Sequence, residues 1–233
     1  MLPAPHPHRS NSLINFANAL NTRFDQSCQP EDLDKAISLH REALGLLSTQ
    51  HPLRSGCLVN LGGSLNTRFE LLGDYMDLDE AVSLQQEALM YLPAPHPLRS
   101  MCLHNLASAL YARFGQLGSH ADLDKALSLQ REALGLLPAS HPLRPACIIN
   151  LAAELRTKFD QSGEHEDLDG AISLSREALK LLPATHPRRS MVLNTLASAH
   201  LTRSRASGRQ EDLDEAILLQ RVALGLLPAP HPL

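Results

Sequence analysis

Residues 122–144 read Asp122-Leu-Asp-Lys-Ala-Leu-Ser-Leu-Gln-Arg-Glu-Ala-Leu-Gly-Leu-Leu-Pro-Ala-Ser-His-Pro-Leu-Arg144, and the stretch recurs along the chain. Asp-Leu-Asp begins at Asp32, Asp77, Asp122, Asp167 and Asp212, and His-Pro begins at His6, His51, His96, His141, His186 and His231. Every step is 45 residues, without insertion or deletion. A fixed period of this size marks a solenoid, in which one supersecondary unit stacks on copies of itself. The 233 residues divide into units 6–50, 51–95, 96–140, 141–185 and 186–230, sharing one continuous core as a single array. Leu2-Pro3-Ala4-Pro5 reads as the tail of a preceding unit and Pro230-His231-Pro232-Leu233 as the start of a sixth, so an excerpt of a longer array is expected.

Hydrophobic spacing gives each unit two helices. In the unit 51–95, Leu58, Leu61, Gly62, Leu65 and Phe69 follow at i, i+3, i+4, i+7 and i+11, one face of an α-helix that Pro52 opens in its first turn. Gly73, Gly118, Gly163 and Gly208 fall where a left-handed residue ends such a helix, and Cys28 takes that place in the first unit. This helix A is expected to span about 18–20 residues. Asp77 reads as the N-cap of a second helix, B, with Glu80 completing a capping box, and Asp212 and Glu215 repeat the pair. Helix B runs to Leu92 on a face of Leu78, Ala81, Val82, Leu84, Ala88 and Leu89, and Pro93, Pro138, Pro183 and Pro228 close it. The expected architecture is an all-α solenoid of five helix-turn-helix units forming a right-handed superhelix.

The units resemble tetratricopeptide (TPR) repeats. Helix B carries the spacing Ala81, Ala88, Pro93, repeated as Ala126, Ala133, Pro138 and Ala171, Ala178, Pro183. Helix A reaches Asn60-Leu61-Gly62, Asn105-Leu106-Ala107 and Asn150-Leu151-Ala152 nine residues after His-Pro, similar to the long repeats of the kinesin light chain type. The pattern departs from the family where His40, Gln85, Gln130, Ser175 and Gln220 replace a helix-B aromatic. The 45-residue Asp-Leu-Asp form looks like fungal TPR arrays, some of which end in a caspase-like CHAT domain.

Composition narrows the function. Lys plus Arg is 21 against 25 Asp plus Glu, a net charge of −4, and Trp is absent, so neither a phosphate backbone nor stacked bases find a platform. No apolar run reaches the roughly 18–20 residues of a membrane span, and the N-terminus lacks the apolar region of a signal peptide. A soluble cytoplasmic protein without nucleic-acid or membrane partners is expected. Cys57, Cys102 and Cys147 share one repeat position and read as small buried apolar residues rather than disulfide partners. The His-Pro histidines, one per helix start, form a row rather than a metal cluster, and neither metal nor cofactor is expected.

The candidate site is the asparagine ladder Asn15, Asn60, Asn105 and Asn150, with Asn194 beside Thr195 in the fifth unit. Asparagine is a middling helix former whose amide needs partners, so its recurrence in mid-helix has a cause. In similar repeats helix A lines the concave groove and such amides hold a peptide backbone, which the resemblance implies here. The alternative is that each Asn bonds to the next unit and holds the stack. Asn18, Ser108 and Ser198 lie three residues on, with room left at Gly63 and Ala153, and His104 precedes Asn105. Helices about 8–10 Å apart would each cover roughly three residues of extended peptide. Arg9, Arg54, Arg99, Arg144 and Arg189 at the start of helix A read as partners of a neighbouring unit's carboxylate or of an acidic ligand. Arg23, Arg68, Arg113, Lys158 and Arg203 near its end favour the helix dipole.

The expected function is a non-enzymatic interaction scaffold that takes a protein or peptide segment in the helix-A groove. The alternative is the regulatory arm of a larger protein, such as a CHAT-type protease, and end-to-end self-association is a third reading.

Overall fold

The computed structural model describes residues 8–186 and 188–226; the expectations at His6, Pro228 and His231, and those at the two chain ends, lie outside the described residues. Among the described residues there are ten helices and no strand. The A helices are α1 (Arg9–Ser27), α3 (Arg54–Leu72), α5 (Arg99–Leu117), α7 (Arg144–Ser162) and α9 (Arg189–Ser207), each of 19 residues. The B helices are α2 (Pro30–Leu46), α4 (Tyr75–Met90), α6 (His120–Leu136), α8 (His165–Leu181) and α10 (Gln210–Gly225).

The turn from A to B is as read from the sequence. Gly73, Gly118, Gly163 and Gly208 have φ of 72°, 67°, 70° and 72°, and each returns its backbone N–H to the carbonyl four residues back. Cys28 does the same at φ 52°, the one non-glycine at positive φ among the described residues. A Cβ in that region clashes with the following carbonyl. Cys28→Gly is therefore expected to raise stability by about 0.5–1 kcal/mol, read as a higher urea midpoint. An unchanged or lower midpoint would show that the left-handed turn carries no strain.

Three details differ from the sequence expectation. The His-Pro pair precedes helix A rather than opening it: His51 Nδ1 accepts from Leu53 N at 3.1 Å, and His96, His141 and His186 repeat the contact at 3.1 Å. Imidazole thus stands in for an Asx-type turn acceptor. Helix α4 ends at Met90, two residues before Leu92, which is itself fully buried in the connection. Finally, α4 starts at Tyr75 with Asp74 as its N-cap, accepting from Met76 N at 2.9 Å, so Asp77 is not the cap.

Asp77 instead lies buried in the first turn of α4 and takes both forks of Arg68, at 2.6 Å each. Arg113 with Asp122, and Arg203 with Asp212, repeat the bidentate pair across the A–B turn. Two parallel N–H···O bonds to one carboxylate fix a geometry that a point charge would not. Arg203 and then His200, whose Nδ1 lies 2.7 Å from Oδ1, hold the Asp212 carboxyl down at about 2. The arginines at the start of helix A pair within their own unit, not with a neighbour's carboxylate: Arg54 reaches Glu87 at 2.8 Å and Arg99 reaches Glu132 at 2.7 Å. The same guanidinium caps the preceding helix B, Arg54 donating to the Leu47 carbonyl at 3.2 Å and Arg99 to that of Leu92 at 2.6 Å.

The chain divides between Ala133 and Leu134, within α6, into two compact units. In the first, α1 packs on α2 and α3 on α4, while α2 meets α3 and α4 meets α5. Phe24, Leu33, Ile37, Leu61, Leu65 and Ala81 form one core cluster, and Leu58, Val59, Ala88, Leu92 and Cys102 another. In the second, Leu168, Ile172, Leu193 and Leu196 join α8 to α9 and α10. Fully buried alanines such as Ala36, Ala81 and Ala88 let helix axes close in, and leucines fill between them. Burial raises the Cys57 thiol to about 11 and the Cys102 thiol to about 12, so both stay protonated and pack as small apolar groups.

The position that departs from the family's aromatic is buried in each of the first three repeats, as His40, Gln85 and Gln130. Gln85 donates to the Val59 carbonyl at 3.0 Å, and a Cβ on Gly62 would come within 2.5 Å of that amide nitrogen. Gln130 turns instead to His104, with Nε2 3.0 Å from Nδ1. His40 Nε2 is buried without a hydrogen-bond partner, and burial depresses its pKa to about 4.

Candidate functional site

The polar face of helix A follows from the same periodicity as its core. With Leu58, Leu61 and Leu65 turned inward, Asn60, Gly63, Ser64 and Thr67 share the next stripe, and Asn18, Asn21, Thr22 and Asp25 occupy the matching stripe of α1. In the first compact unit α1 packs directly on α3 and α3 on α5. The B helices α2 and α4 meet instead through the long side chains of Arg41 and Glu80, 2.5 Å apart. The A helices are therefore the inner side of this unit.

That inner side holds a cavity of 490 Å³. Asn18, Asn60 and Asn105 line it, together with Asn21, Thr22, Ser64, Thr67, Met101 and the backbone of Gly63. Asp25 is the sole ionisable side chain among its lining residues. The amides and hydroxyls offer both donors and acceptors without a net charge, the chemistry that matches a peptide main chain.

Amides of this stripe bond from one repeat to the next. Asn60 Nδ2 donates to Asn18 Oδ1 at 2.8 Å, and Asn21 Nδ2 donates to Ser64 Oγ at 2.9 Å, both across neighbouring repeats. Asn66 Nδ2 reaches the Asn105 carbonyl at 2.8 Å. An amide has two N–H donors and a carbonyl with two lone pairs, so one cross-repeat bond leaves most of its capacity for the cavity. The room at Gly63 is taken up from within the chain: a Cβ there would lie 3.1 Å from Asn105 Nδ2.

In the second compact unit a cavity of 360 Å³ is lined by Ala153, Arg156, Ser190, Met191, Asn194, Thr195 and Ser198. Asn194 thus faces a cavity of its own. Asn15, His104, Ser108 and Asn150 line neither of these two cavities. Asn15 is exposed near the start of α1, and His104 is half-buried against Gln130. Ser108 Oγ donates to the His104 carbonyl at 3.0 Å within its own helix. Asn21, Ser64 and Thr67 escaped the sequence reading, although the shared Asn-Thr-Arg-Phe at 21–24 and 66–69 marked the end of this stripe.

No described helix is long and apolar enough to cross a membrane. Among curated proteins none matches the chain. The sequence model of the tetratricopeptide repeat matches residues 99–143. Among solved structures, the nearly identical TPR-like repeats of a Podosopora anserina protein assigned as a kinesin light chain share 22% identity at a TM-score of 0.61, over 94% of this chain and 97% of that one. YrrB, a TPR protein with an unusual peptide-binding site, shares 17% at 0.56, over 91% and 89%. BtubC (BKLC) from P. vanneervenii shares 16% at 0.51, over 97% and 94%. The unit at 99–143 matches the tetratricopeptide repeat directly, the other units share its 45-residue period and left-handed turn, and the chain as a whole has the fold of tetratricopeptide-repeat arrays.

Proposed function

We propose that the chain is a non-enzymatic interaction scaffold whose helix-A face takes an extended peptide segment. The observation that carries this reading is the amide-lined cavity of 490 Å³ across α1, α3 and α5, in which Asp25 is the sole ionisable lining side chain. Its donors and acceptors come from three successive repeats, so a ligand must run across the helices to use them all. The peptide-binding site named for YrrB, a protein of the same fold, gives the reading a precedent in kind.

The test is a peptide-phage library selected on the wild-type protein, followed by binding of the selected peptides to the variant with Asn18→Ala, Asn60→Ala and Asn105→Ala together. Each lost amide removes about 1 kcal/mol of hydrogen bonding, so the triple variant is expected to bind at least 50-fold more weakly. Its helical circular dichroism should remain, because Leu58, Leu61 and Leu65 still fill the core. A folded variant that keeps full affinity would assign the ladder to stacking alone.

A further inference from the structure

One A–B turn differs from the other four. Leu71 and Leu72 end α3, Tyr75 and Met76 open α4, and these side chains are 53%, 67%, 55% and 73% exposed. The same positions face solvent in the other repeats, where they are mostly polar. The fourth repeat has Gln161, Ser162, His165 and Glu166 there. Serine also replaces Leu72 in the first and fifth repeats, and glutamate replaces Met76. What the repeat needs in order to fold, all five units share; the apolar cluster belongs to one. Tyr75 Oη donates to Gln116 Oε1 of the third repeat at 2.9 Å. That bond places the next residue, Leu117, 71% exposed, at the edge of the same patch. None of these five apolar residues lines the 490 Å³ cavity.

The patch lies in an acidic field. Residues 70–98 hold six Asp and Glu and no Lys or Arg. The arginines that flank the turn are engaged: Arg68 by Asp77 and Asp34, and Arg113 by Asp122. Glu70 and Asp74 stand exposed in sequence beside Leu71 and Tyr75. Five large side chains, each exposed by more than half, form on the order of 500 Å² of apolar surface, the upper end for a soluble monomer. Two such patches face to face would bury about 1,000 Å², short of the roughly 1,200 Å² at which stable interfaces begin. They would also set Glu70 and Asp74 against their own copies. A second copy therefore fits this surface poorly, and an apolar segment with basic flanks fits it well.

We propose that the α3–α4 turn is a second docking surface, independent of the helix-A cavity. Its partner is a protein segment with two or more large apolar side chains flanked by Lys or Arg. The apolar side chains cover Leu72, Met76 and Leu117, and the unbranched Met76 adapts to their shape. The flanking cations meet Glu70 and Asp74 at the rim, where they speed association and make it sensitive to salt.

The test is a transplant. Leu71→Gln, Leu72→Ser, Tyr75→His and Met76→Glu together give this turn the side chains of the fourth repeat, so helical circular dichroism should not change. A phage-displayed random peptide library is selected on the wild type and counter-selected on the transplant. The surviving peptides should carry paired large apolar residues with Lys or Arg on either side. As synthetic peptides they should bind the transplant at least about tenfold more weakly than the wild type, and more weakly at high salt. Asn18→Ala, Asn60→Ala and Asn105→Ala together should leave their affinity unchanged, which separates this surface from the cavity. Leu72→Ser alone, at an exposed helix end, should weaken them in the same direction. Survivors without apolar pairs or with acidic flanks, or no peptide that distinguishes the two proteins, would overturn the proposal. So would sedimentation in which the wild type dimerises through this turn and the transplant does not, since the occupant would then be a second copy.

Discussion

Leu61→Ala is expected to cost about 3 kcal/mol, whereas Phe16→Ala, at the same repeat position, costs less than about 1 kcal/mol in the dilute monomer. The substitutions differ in what surrounds the side chain. Leu61 is fully buried against Phe24, Leu33, Ile37 and Leu65, helices on both sides closing over it. Its truncation removes the transfer energy of the lost carbons and leaves a cavity that stiff helices cannot close. Phe16 faces solvent on one side, so the space it vacates fills with water. Urea unfolding followed by circular dichroism at low micromolar concentration would measure both. Equal losses would mean that Phe16 is as well covered in solution as Leu61.

The second large effect is acid sensitivity at one residue. His40 is fully buried with Nε2 unpartnered, Nδ1 sits 3.9 Å from the protonated Cys57 Sγ, and burial depresses its pKa to about 4. In the unfolded chain an ordinary histidine titrates near 6.5. Between these values the unfolded chain binds a proton that the folded chain refuses, so stability rises with pH across the window. The contribution is fully present above about pH 6.5 and is lost as pH falls toward 4, amounting to about 3 kcal/mol. His40→Gln places there the residue that Gln85 and Gln130 provide in the next two repeats, where it is equally buried. That variant should unfold at nearly the same urea concentration at pH 4.5 and pH 7, while the wild type loses several tenths of its midpoint. Parallel acid losses in the two proteins would place the proton elsewhere.

The residues that decided the fold from sequence act locally. Leu58, Leu61, Leu65 and Phe69 identify a helix because one turn sets which side chains share a face. Gly73 identifies its end because a left-handed residue with no Cβ closes the last turn without strain. Repetition did the rest: a reading that held at one unit held at the other four, and even Cys28 at φ 52° followed from its place in the period. The asparagine stripe was legible for the same reason, since Asn18, Asn60 and Asn105 lie on whichever face the leucines do not use.

Tertiary structure decided the partners. Asp77 has the composition of an N-cap, yet it pairs with Arg68 across the turn, because the two-residue connection after α3 brings carboxylate and guanidinium face to face. Arg54 reaches Glu87, 33 residues on, and Asn60 reaches Asn18, 42 residues back. No local preference encodes those separations; they follow from the angle at which each hairpin packs on the last. The sequence by itself therefore determined the unit, its period, its helices and the polar stripe, all products of short-range sterics and burial. Only the packed chain decided which carboxylate each arginine holds and which amides, such as Asn60 with Asn18, bond from one repeat to the next.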